Sequence, residues 1–289
     1  MAMNGRLNII AEKINDSVPS THDLFEQGKI DEIVNIAKEQ AEQGARYIDV
    51  NIGPRDPRLM VELVKSIQGQ ITLPLSIDTP SYEIAELALK AYDPAKAGGE
   101  KPILNSIGPK RLQMFDLLKI QPCKVIMIVN EKEDEGKAVV CTEAVHVVEA
   151  AHQMYAHAQK HNICNDDIIF DPSIAPISTD MKGLTRMTVN AVESIGHTPL
   201  FKGCHMSVGL SNFTVMMPSK TKSGQLVKTP LENAFLTLTV PKGLDHVIGS
   251  SKKKYDFLPE DHPAMQTVSK LLGLTGMEAL KTVRQFYNS

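Results

Sequence analysis

The chain contains no tryptophan, no C-x-x-C pair, no G-x-G-x-x-G or Walker phosphate loop, and no apolar run of membrane-spanning length. Each absence excludes something. The four cysteines, Cys123, Cys141, Cys164 and Cys204, lie scattered and read as reduced thiols rather than as a zinc ribbon or redox pair. A nucleotide-binding open sheet would declare itself through a glycine-rich loop. A bilayer-spanning helix needs roughly 20 apolar residues. The start, "MAMNGRLNII", has no secretory layout, so the expected location is the cytoplasm. A net charge of −3 gives no reason to expect nucleic-acid binding. Nor does a metal motif stand out. His157 and His161 are four apart on a predicted helix without the acidic H-E-x-x-H pattern. Cys204 and His205 are adjacent on a predicted strand, where neighbours point to opposite faces. The expectation is a chain that binds no metal ion.

What is present is alternation. At 289 residues, 42% hydrophobic and 22% charged, the chain can bury a full core. Short apolar runs at Leu7–Ile14, Arg46–Ile52, Leu75–Asp78, Ile103–Ser106, Lys124–Val129, Asp167–Asp171, Met206–Ser211 and His246–Ile248 read as strands. Between them lie amphipathic stretches such as Ile30–Gln43, Pro57–Ile67, Ser81–Tyr92, Lys110–Leu118, Thr142–His161 and Lys182–Ile195, and Pro263–Phe286 reads as one or two closing helices. Eight strands separated by helices predict an α/β fold, a (β/α)8 TIM barrel, as one domain over residues 1–289. A doubly wound open sheet is the alternative. The segment "FLTLTVPKG" is β-branched and could be strand rather than the seventh helix.

The strands stop on polar residues. Glu12 and Asn15 close the first, Asp49 and Asn51 the second, Asp78 the third, Asn105 the fourth, Asn130 the fifth, Asp171 the sixth and Asn212 the seventh. Any one of these reads as a turn or helix cap. In succession, with no Lys or Arg at these ends, they would ring the C-terminal mouth of a barrel, where such folds carry their active sites. Carboxylates and amides suit a neutral heterocycle rich in N–H donors. A pterin is one: its 2-amino group and adjacent ring N–H form a two-pronged donor edge that one carboxylate can accept.

The segments "AEKIND", "IDVNIGP", "LSIDTP", "ILNSIG", "IFDPSIAP" and "VGLSNFT", taken in order, resemble the signature segments of the pterin-binding barrel methyltransferases. That family comprises the methyltetrahydrofolate:corrinoid protein methyltransferases and the corrinoid-to-tetrahydrofolate enzymes of demethylation pathways. The resemblance implies a dimeric barrel that moves methyl between N5 of tetrahydrofolate and the cobalt of cobalamin carried by a corrinoid partner protein. It implies pterin-holding roles for Asp78, Asn105 and Asp171, an N5-facing role for Asn212, and lesser roles for Glu12, Asp49 and Asn51. The charge change at N5 further suggests proton delivery through Asp171 and water.

Dihydropteroate synthases share several of these segments, but their seventh strand needs a basic G-x-S-R-K-type sequence, and here Asn212-Phe213 stands in place of Arg-Lys. A non-catalytic pterin-binding barrel is the remaining alternative. Val215 is apolar where relatives of the methyltransferase type carry a polar Gln. The lysines of "PSKTKSGQLVKT", Lys220, Lys222 and Lys228, read either as a solvated loop or as a patch for the folate tail or the corrinoid protein.

Overall fold

The computed structural model describes residues 2–3 and 5–288. In chain order the elements are β1 (Asn8–Asn15), α1 (Pro19–Glu26), α2 (Ile30–Glu42), β2 (Tyr47–Asn51), α3 (Pro57–Gln68), β3 (Leu75–Asp78), α4 (Tyr82–Ala91), β4 (Ile103–Ile107), β5 (Lys124–Ile128), β6 (Glu131–Asp134), β7 (Lys137–Val140), α5 (Ala144–Lys160), β8 (Ile168–Asp171), α6 (Leu184–Gly196), β9 (His205–Gly209), α7 (Leu210–Phe213), α8 (Lys228–Thr239), β10 (His246–Gly249), α9 (Pro263–Leu271) and α10 (Gly276–Asn288). Eight strands close into a parallel barrel in the order β1-β10-β9-β8-β5-β4-β3-β2, and β6 and β7 form a separate antiparallel hairpin. The fold is therefore a (β/α)8 barrel.

Local chemistry starts the helices. Asp56 accepts from Arg58 N at 2.9 Å, with Pro57 at the first helical position of α3. Ser81 accepts from Ile84 N at 3.3 Å to begin α4. The helices bury one face against the outside of the barrel, in a core that includes Ile33, Met60, Leu63, Ala88, Val147, Val192 and Phe235. A second, smaller cluster, Ile10, Tyr47, Ile103, Ile126 and Ile169, fills the inside of the barrel. Stepping two residues along each strand from these positions leads to Glu12, Asp49, Asn105, Ile128 and Asp171. Because side chains alternate along a strand, the apolar floor and the polar mouth are successive layers of one interior.

Several expectations are corrected. Residues Pro109–Lys119 form a 3₁₀ helix kinked at Arg111, not an α-helix. Pro109 and the three-residue spacing of buried Met114 and Leu117 suit the tighter winding. The "FLTLTV" segment keeps the seventh-helix reading over the strand alternative: residues 235–239 close α8 and Val240 opens a 3₁₀ turn. Its threonines bond back along the helix, Thr237 Oγ1 to Asn233 O at 2.7 Å and Thr239 Oγ1 to Phe235 O at 2.9 Å. The strand expected over Met206–Ser211 ends at Gly209, so Asn212 rides on the one-turn helix α7. Among the described residues, no helix is long and apolar enough to cross a membrane.

Candidate active site

A cavity of about 820 Å³ opens at the C-terminal mouth, bordered by Glu12, Asp49, Asp78, Asn105, Asp171 and Asn212 together with Ile128, Ser173, Ser211 and Val215. Of the strand-end residues singled out in the sequence, Asn51 and Asn130 do not border it. Asn51 stands behind the wall: its Nδ2 donates to Asp78 Oδ2 at 2.8 Å, and its Oδ1 accepts from Gly53 N at 2.8 Å. Asn130 lies past the end of β5, where its carbonyl takes the Cys141 N–H at the base of the hairpin. The fifth strand presents Ile128 to the cavity instead.

The acids are held by short-range donors on the same interior face. Asp49 Oδ1 accepts from Ser76 Oγ at 2.6 Å and from Asn105 Nδ2 at 3.2 Å, while its Oδ2 is buried without a hydrogen-bond partner. Burial, and then the charge of Asp78, push the Asp49 carboxyl well above the usual carboxylate range. Burial also raises Asp78, with the Asn51 hydrogen bond and the Arg111 guanidinium pulling the other way. Asp171 answers why a strand should end on a buried acid. Its Oδ1 accepts from Ser173 N at 2.7 Å, made possible by a left-handed backbone at Ser173 (φ 59), and its Oδ2 faces Ser207 Oγ at 3.4 Å. Burial outweighs those two donors and pushes its carboxyl up to about 7. Glu12 is raised by burial and is hydrogen-bonded to Ser211, which links β1 to the turn carrying Asn212.

That turn has its own support. Thr214 Oγ1 donates to the fully buried Glu232 at 2.5 Å, and Lys253 reaches the same carboxylate at 2.7 and 2.8 Å. Where the loops after β1 and β2 meet, Gly53 (φ +63) approaches Asp16 so closely that a Cβ would overlap the Asp16 carboxylate. Asp16 pairs with Arg55, which also meets Glu26 at 2.5 Å. This ties the loop after β2 to the loop after β1 and so fixes Asn51.

The sequence reading missed Ser76, Ser207, Ser211, Arg111, Glu232 and Lys253. The first two were legible: Ser76 lies two residues before Asp78 and Ser207 two before Gly209, on the same face. Glu232 and Lys253 carry no local signal. The lysines that border the cavity are Lys13 and Lys252, not Lys220, Lys222 or Lys228.

A family model described as pterin binding enzyme matches residues 12–249. A methylcorrinoid:tetrahydrofolate methyltransferase of Eubacterium limosum is 28% identical over 251 residues, covering 83% of each chain. Among solved structures, a Yersinia pestis dihydropteroate synthase superposes with a TM-score of 0.56 at 11% identity, over 92% of this chain and 93% of that one. A Stenotrophomonas maltophilia dihydropteroate synthase gives a TM-score of 0.56 at 14% identity, over 93% and 92%. At such identities the two synthases speak for the fold alone.

Proposed function

The chain belongs to the pterin-binding enzyme family, and from that premise we propose that it moves a methyl group between a corrinoid and tetrahydrofolate. The observation that carries this reading is one cavity bordered by Asp78, Asn105, Asp171 and Asn212. Its polar groups fit a pterin: carboxylates to accept from the paired N–H edge, and amides for the remaining ring donors and acceptors. The name of the Eubacterium limosum relative favours transfer from methylcorrinoid to tetrahydrofolate.

In this reading Asp171 and Asp78 hold the pterin by its donor edge, Asn105 serves the ring, and Asp49 anchors Asn105 from below. Cobalamin on a partner protein supplies the methyl–cobalt bond. Asn212 meets N5, whose charge changes as the methyl group arrives or leaves, and an amide can donate to or accept from it by turning over. Asp171, poised near neutrality, is a reservoir for the proton that N5 gains or loses through water. Holding both large partners in line supplies the entropic share of the rate. Lys13 and Lys252 at the rim suit folate's carboxylate tail. A single pterin-binding domain, a homodimer and a cytoplasmic location complete the proposal.

The test mixes the protein with tetrahydrofolate and methylcob(III)alamin and follows the methyl–cobalt absorption. Its enzyme-dependent loss, with methyltetrahydrofolate formed, is expected. Folate binding without spectral change would make the chain a non-catalytic pterin-binding barrel. Dihydropteroate synthase activity would replace the reading altogether.

A further inference from the structure

The opposite end of the barrel holds a second polar constellation. His205 begins β9 and His246 begins β10, and Asp245 directly precedes His246. The Nδ1 atoms of both imidazoles face the same carboxylate: His205 Nδ1 lies 2.6 Å from Asp245 Oδ2, and His246 Nδ1 lies 2.8 Å from Asp245 Oδ1. One candidate ligand atom from each of the three side chains lies within 4.8 Å of the other two. We propose that His205, Asp245 and His246 bind a divalent transition-metal ion at the floor of the barrel, remote from the pterin cavity.

Three features carry the assignment. Two imidazoles and one carboxylate are one of the donor sets zinc takes in its three-residue sites, with water completing the tetrahedron. Magnesium and calcium, which want all-oxygen shells, do not match this set. The outer nitrogens already have the partners that orient metal-bound histidines: His205 Nε2 faces Asp166 Oδ1 at 3.4 Å, and His246 Nε2 faces the Asn8 amide at 3.3 Å. With each imidazole proton on Nε2, Nδ1 is free to bind the ion. Asp166 then accepts from one ring, and the Asn8 amide, turned over, accepts from the other. Access fits as well. The His246 side chain is 4% exposed, whereas those of His205 and Asp245 are 23% and 32% exposed, so the site has a fixed base and an open side.

Sequence spacing concealed this site and led to the expectation of no metal. The partners of His205 come from the next strand, 40 residues on, not from Cys204 beside it. Backbone alternation placed both imidazoles on the interior face at the floor.

The experiment strips the full-length protein with a chelator and titrates it with Co²⁺, then Zn²⁺. Expected are one ion per chain, visible Co²⁺ bands of tetrahedral intensity that Zn²⁺ displaces, and a raised melting temperature. His246→Gln and Asp245→Asn should weaken Zn²⁺ binding by on the order of 100-fold or more, beyond the 10–100-fold typical of outer-shell changes such as Asn8→Ala. Imidazole ¹⁵N resonances of the wild-type protein should report Nδ1 coordination of two histidines, so the test does not depend on the variants folding. No saturable binding, or binding without those ¹⁵N shifts, would overturn the proposal, as would wild-type affinity in both His205→Gln and His246→Gln. Folate binding is expected to be the same with and without the ion.

Discussion

The amide of Asn212 occupies the space where a side chain on Gly209 would begin: a Cβ there would stand 2.8 Å from Asn212 Nδ2. Gly209 is the last residue of β9 and Asn212 the third of α7, so the missing methyl lets the turn fold its amide back over the strand end. Gly209→Ala should therefore displace the Asn212 amide. A misplacement of this size is expected to slow methyl transfer by about 10²-fold while leaving folate affinity within a few-fold. Single-turnover rates beside a folate titration would check it, and equal losses in both would assign Gly209 to folding alone.

Asn212→Ala should lower the transfer rate by on the order of 10²–10³, more than it weakens folate binding, because N5 changes charge only during reaction. A wild-type rate with a lower melting temperature would leave Asn212 as a structural turn residue and sink its proposed role.

Asp78→Ala or Asp171→Ala should mainly weaken folate binding. Loss of a charge-assisted hydrogen bond costs roughly 1.5–3 kcal/mol, about 10–100-fold in affinity. Calorimetric titration with tetrahydrofolate is the measurement, and unchanged affinity in both variants would remove the pterin from these acids.

Burial and the neighbouring Asp78 favour the protonated form of Asp49. Asp49→Asn keeps an acceptor for Ser76 and Asn105 and should change stability by less than about 1 kcal/mol, whereas Asp49→Ala leaves buried partners unmatched at a cost of about 1–3 kcal/mol. Urea unfolding of both variants distinguishes the two. A large loss in Asp49→Asn would mean that the native carboxyl is ionised.

Asp171 sets a pH dependence. Its folded value, about 7 against an ordinary 3.8, means the native state holds a proton that the unfolded chain has released. Stability should therefore fall as pH rises from about 4 to 7, by at most roughly 4 kcal/mol from this group, and level off above 7. Asp171→Asn removes the titrating group, so its unfolding free energy should fall less over that window. Parallel slopes for variant and wild type would place the titration elsewhere.

The fold was legible because its signals are local and repeated. All eight barrel strands carry apolar runs, and the acids at Asp49, Asp78 and Asp171 follow the period-two interior face. The hairpin was not legible. Its first strand, Glu131–Asp134, is entirely charged and poor in β-formers. It is held instead by the left-handed Glu135-Gly136 turn and by Gln153 on α5, which bonds both the N–H and the carbonyl of Glu133. Supports that join distant positions, such as Thr214 and Lys253 on Glu232 or Arg55 on Asp16, leave no periodic trace. The fifth strand misled because Asn130 resembles the other strand-end amides while lying beyond the barrel. Asn51 looked like a wall residue and proved to be the support of one.

The buried carboxyls of the pocket, Asp49 and Asp171, also change the meaning of the protein's charge. The formal −3 counts every Asp and Glu as ionised. With the Asp49 carboxyl raised by burial and by its neighbour Asp78, and that of Asp171 raised to about 7, the protein should migrate in an electric field as less acidic than its composition. A ligand whose paired N–H edge demands an ionised Asp171 would send that carboxyl's proton into the buffer. Even an uncharged pterin should then make the protein more anionic, seen as faster migration toward the anode.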